Sequence, residues 1–70
     1  MKSKLLAFVK SYNEEYDHDF EVEFEDDGVR IVTTTIFSQV FLSLFMELLS
    51  ENPFCFYITE RRGYPSIYCY

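Results

Sequence analysis

The chain has 70 residues, 49% of them hydrophobic, with eight Phe and six Tyr, and carries a formal net charge of −6. That length makes one domain, 1–70, with enough apolar material for a core that needs no cofactor, metal or disulfide framework. The acidity argues against direct contact with nucleic acid or anionic membranes, since both demand clustered bases, and two cysteines are too few for a secreted disulfide scaffold.

The first element is a helix from Lys4 to Tyr16, with Ser3 as its cap. Leu5, Phe8, Val9, Tyr12 and Tyr16 share one face, and Lys10, Ser11 and Glu14 lie opposite. Lysines at its start and glutamates at its end oppose the helix dipole, so packing has to hold it. No secretory leader is expected here, because only the short run LLAFV follows Lys2 and Lys4.

Strict alternation follows. Phe20, Val22 and Phe24 point one way, and Asp19, Glu21, Glu23 and Glu25 the other, which predicts a half-buried strand. Asp27-Gly28 reads as a type I′ hairpin turn. That turn sets Glu25 opposite Arg30, Phe24 opposite Ile31 and Val22 opposite Thr33, with a return strand from Val29 to Thr33.

The most apolar stretch, Ile36 to Leu49, predicts a central helix capped by Thr34 or Thr35 and ended by Asn52-Pro53. Gln39, Ser43, Glu47 and Ser50 make one narrow polar strip, and apolar side chains cover most of the remainder. The apolar stripe is about twice the 100° of an ordinary surface helix. It must be covered on two sides, by its own chain or by another molecule. It is too short and too interrupted for a membrane span.

Phe54 to Tyr70 reads as a second hairpin turning at Arg61-Arg62-Gly63. A two-residue loop, the favoured register, pairs Ile58 with Ile67, Tyr57 with Tyr68 and Phe56 with Cys69. A three-residue loop pairs Cys55 with Cys69 instead. Pro65 lacks an amide donor and suits an edge strand. The spacing Glu25-x-x-Gly28 recurs 35 residues later as Glu60-x-x-Gly63, a hint of an internal repeat, but side chains elsewhere match poorly and two unrelated hairpins remain the default reading. The expected fold is α+β, αββαββ, with a four-stranded, mainly antiparallel sheet around the central apolar helix. Strand order is open.

Nine acids lie between Glu14 and Asp27 with no intervening Lys or Arg, while the rest of the chain holds three acids and all six Lys and Arg. The candidate partner-binding residues are Asp19, Glu21, Glu23, Glu25, Asp26 and Asp27. Alternate strand positions place carboxylates about 6–7 Å apart, close to the spacing of phosphates along a nucleic-acid strand. Such a row suits a Lys/Arg-rich partner, including a nucleic-acid-binding effector. Tyr57, Tyr68 and Tyr70, beside Arg61 and Arg62, are candidate anchors, because Tyr and Arg are frequent at interface hot spots. His18, among Asp17, Asp19 and Glu21, shows no metal-ligand spacing. No catalytic pattern is recognisable. Cys55 and Cys69 read as small apolar fillers with reduced thiols in a cytoplasmic protein.

In size and charge, though in no motif, the chain resembles the small acidic inhibitors that phages direct at host nucleic-acid-handling defences, anti-CRISPR proteins among them. That resemblance implies a non-enzymatic inhibitor, working in the host cytoplasm, that occupies a basic surface. The alternative is a homodimeric structural or chaperone-like module whose acids only keep it soluble.

Overall fold

The computed structural model describes residues 2–70, and its elements run α1 (Lys2–Tyr16), β1 (Glu21–Glu25), β2 (Gly28–Val32), α2 (Gln39–Glu51), β3 (Phe56–Arg61) and β4 (Tyr64–Cys69). All strand pairs are antiparallel, in the order β1-β2-β4-β3. The fold is therefore α+β with a four-stranded antiparallel sheet and two helices.

Both helices lie on one face of the sheet. Leu5, Val9 and Tyr12 of α1 and Phe41 and Phe45 of α2 form one buried cluster with Phe20, Val29, Ile31, Ile67 and Cys69. Phe41 is fully buried and meets five aromatic rings, those of Phe8, Tyr12, Phe20, Phe37 and Phe45. The helices run antiparallel. Lys4 Nζ donates to Asn52 Oδ1 at one end, and the Tyr12 hydroxyl meets Ser38 Oγ at the other. The second helix buries a narrower stripe than its sequence offers, leaving Val40 and Met46 about half exposed.

Several boundaries differ from expectation. Helix α1 already contains Lys2, so Ser3 lies inside it and is not the cap. Helix α2 begins at Gln39, and its cap is Ser38, whose Oγ accepts from the Phe41 amide at 3.1 Å. Thr33 and Thr35 bond each other instead, and Ile36 is exposed. Asn52 does end α2, but at φ −135° and not in the left-handed region. Asp17 supplies the left-handed residue after α1, with φ 55°, and His18 N–H returns to Asn13 O at 3.1 Å.

Asn13 then fixes where β1 starts. Its side chain accepts from the Phe20 amide at 3.0 Å and donates to the Phe20 carbonyl at 2.8 Å. This two-point clamp delivers the Phe20 ring into the core, stacked on Tyr12.

The second hairpin takes the two-residue loop. Arg62 and Gly63 both have positive φ, as a type I′ turn requires, and Ile58, Tyr57 and Phe56 face Ile67, Tyr68 and Cys69. The first hairpin is shifted from expectation. Its loop is Asp26-Asp27, so Phe24 faces Val29, Val22 faces Ile31 and Glu23 faces Arg30. Gly28 stands at the start of β2, where a Cβ would press into the Cys69 carbonyl and the Tyr68 ring. This glycine provides space, not a positive φ angle.

Strand β4 is interior, not an edge, yet Pro65 fits. Cys55 and Tyr70 exchange both backbone bonds, so by alternation Pro65 turns its nitrogen away from β3. It faces β2, whose ladder stops at Val32–Ser66.

A shift of 36 residues carries the first half onto the second. Leu5 falls on Phe41, Val9 on Phe45, Phe20 on Phe56 and Ile31 on Ile67, and the loop Asp26-Asp27 falls on Arg62-Gly63. The expected shift of 35 is displaced by one, because it matched Gly28 of a strand to Gly63 of a turn.

Candidate partner-binding face

The sheet face away from the helices is bare. Its two central rows read Glu21–Val32–Ser66–Thr59 and Glu23–Arg30–Tyr68–Tyr57 from β1 to β3. Alternation on β1 puts all three of its glutamates here, as expected, and Asp26 and Asp27 sit exposed in the adjoining turn.

Tyr68 organises one end of this face. Its ring lies over Gly28, its hydroxyl donates to the Asp27 carboxylate, and the Arg30 guanidinium sits 5.1 Å from its centre. Tyr57 and Tyr70 pack beside it, with ring centres at 5.4 and 5.9 Å. The three tyrosines singled out by sequence therefore form one cluster. Tyr68 is its buried base, and Tyr57 and Tyr70 are about half exposed. The bond to Asp27 stabilises the neutral phenol, pushing the Tyr68 pKa up to about 12.

The acid row is not uniform. Arg30 Nε donates to Glu25 Oε2 at 2.7 Å, and its Nη1 reaches Ser66 Oγ at 3.2 Å. Glu25 is diagonal to Arg30, not opposite it as the expected register implied. The bond from Arg30 lowers the Glu25 pKa, and the same bond raises that of Arg30. Glu23 Oε1 lies 2.7 Å from Arg61 Nη2, a charge contact that makes no hydrogen bond. Arg61 and Glu23 belong to opposite edge strands, about 14 Å apart in a flat sheet. The contact therefore requires the sheet to curl, and a hollow of about 160 Å³ opens between Glu21, Val32, Arg61 and Tyr64.

Two of the six expected acids, Glu23 and Glu25, thus lean inward on the protein's own arginines. Asp19, Glu21 and Asp26 have no ion pair or side-chain hydrogen bond among the described residues. His18 packs against both Tyr12 and Phe20, at 5.5 and 5.1 Å, beside their own direct stack. No group of three or more metal-ligating side chains comes together among the described residues. Cys55 is exposed on the bare face, and Cys69 is buried beneath the sheet, where desolvation pushes its pKa up to about 12. The two thiols lie on opposite faces and cannot pair.

Sequence reasoning missed the Gly28–Tyr68–Asp27 contact and the reach of Arg61. A glycine beside a strand whose neighbour carries a large aromatic is the one signal that was available for the first. Among the described residues, no helix is long and apolar enough to cross a membrane. The chain matches no protein-family model, no curated protein and no solved structure.

Proposed function

We propose that this chain is a small, non-enzymatic binding protein that occupies a basic surface of a larger protein and blocks it. The observation that carries the reading is the distribution of unpaired charge. Asp19, Glu21 and Asp26 are exposed and, among the described residues, unbridged, and they border a bare face that offers Tyr57 and Tyr70. Acids attract and orient a cationic partner, and half-exposed tyrosines supply apolar contact area. Glu23 and Glu25 serve in this reading to hold Arg61 and Arg30 in place. A nucleic-acid-handling effector in a host cytoplasm, the target class of the phage inhibitors that this chain resembles in size and charge, is the natural partner.

The test compares two charge reversals of equal size. Asp19→Lys with Glu21→Lys should abolish salt-dependent capture of a Lys/Arg-rich protein. Glu47→Lys with Glu51→Lys, exposed on α2, should leave capture intact. Equal loss from both pairs reduces the effect to net charge and removes the site.

The homodimer is favoured by a different observation: Ile58 is 60% exposed on the open edge strand β3. A salt-insensitive dimer in sedimentation that Ile58→Lys dissociates selects that reading.

A further inference from the structure

The edge of the sheet at β1 is an unfinished ladder. Among the described residues β1 has one neighbour, β2. The pair Glu25–Gly28 closes a two-residue loop, so Glu25, Glu23 and Glu21 turn their backbone groups toward β2. The amides and carbonyls of Val22 and Phe24 therefore point outward. Phe24 also leaves its side chain 55% exposed on the helix-bearing side, unlike the buried residues Val29 and Ile31 on the same side of β2. An edge carrying open donors, open acceptors and a half-exposed aromatic is a template for another strand.

The charge beside the edge selects the occupant. A second copy pairing β1 with β1 would set acid row against acid row, and like charges facing each other oppose pairing. A basic strand meets the opposite situation. We propose that the free edge of β1 adds an extended, Lys/Arg-rich strand from the partner protein. The added strand would make backbone bonds to Val22 and Phe24. It would lay apolar side chains on Phe24 and project its bases toward Asp19, Glu21 and Asp26. This rests on the reading that the partner is basic, and it adds how that partner is held. The backbone supplies affinity, and the alternation of base and apolar residue supplies selection.

The probes are an alternating Lys-Val octapeptide and a Lys-Pro octapeptide of equal charge, which lacks half the amide donors. The Lys-Val peptide should bind about tenfold more tightly and slow hydrogen exchange at the Val22 and Phe24 amides about tenfold. Phe24→Pro removes an outward donor that the fold itself does not use. With its thermal melt retained, it should erase the advantage of Lys-Val over Lys-Pro. Equal binding of the two peptides, or binding without protection at Val22 and Phe24, overturns strand addition while leaving the acidic docking reading in place. Failure of both peptides to bind at low salt overturns both. A peptide-free dimer that Phe24→Pro dissociates would assign the edge to a second copy and overturn the proposal.

Discussion

Ile31 and Ile67 face each other across the central strand pair, both fully buried, and a 36-residue shift carries the first onto the second. The strand order is symmetric about this pair, with β1 outside β2 and β3 outside β4. We expect Ile31→Ala and Ile67→Ala each to cost about 2–5 kcal/mol, the range for buried large-to-small changes. Their double variant should cost less than the sum, because the two truncations open one shared cavity. Urea denaturation of the three variants checks both statements.

Gly28→Ala should be the more harmful of the two glycine substitutions. A methyl there meets the Cys69 carbonyl, which belongs to a paired strand and cannot move aside, and the Tyr68 ring. The expected cost is about 1–3 kcal/mol, as for overpacking in a core. Gly63→Ala meets no neighbour and suffers only its positive φ of 86°, about 1 kcal/mol. Thermal melts that reverse this order would mean that Gly28 is a turn residue after all.

The two hairpins show where sequence is legible and where it is not. Arg62-Gly63 is a local signal, because the turn needs two positive φ angles and nothing distant competes for its glycine. The second register could therefore be read directly. Gly28 answers to Tyr68, which lies 40 positions further along the chain, so local turn chemistry placed the first loop one residue too late. The two-residue change in register preserved which side chains face inward, so Ile31, expected opposite the inward Phe24, is still buried. The contact of Arg61 with Glu23 depends on strand order and curl, which no local pattern encodes. That is why Glu23, unlike Glu25, looked unpaired in the sequence.

Asn13→Ala should destabilise more than its half-buried position suggests. It leaves both the amide and the carbonyl of Phe20 without a partner next to the core. Each buried group left unsatisfied costs about 1–3 kcal/mol. Asn13→Asp keeps the acceptor but loses the donor, and should recover part of the loss. Equal melting temperatures for wild type and Asn13→Ala would show that water replaces the clamp.

Stability should fall at alkaline pH. Tyr68 and Cys69 have ordinary values of 10.0 and 9.0 and are raised to about 12 in the folded chain. The folded state keeps protons that the unfolded state releases, so their contribution is complete below about pH 9 and is lost as pH rises toward 12. Tyr68→Phe should flatten the part of this decline above pH 10. Glu25 works in the opposite direction. Its lowered pKa adds stability above the ordinary carboxylate range, which is lost as pH falls through its folded value. Glu25→Gln should remove that acid-side slope, as chemical denaturation across pH would show.

Tyr57, Tyr68 and Tyr70 lean on one another, and Asp27 and Arg30 steady the middle ring. Freezing a mobile side chain during association commonly costs about 0.5–1.5 kcal/mol. Here that entropy is surrendered when the chain folds. Whatever lands on these rings meets a surface already set in shape, and a small contact area can hold it for longer.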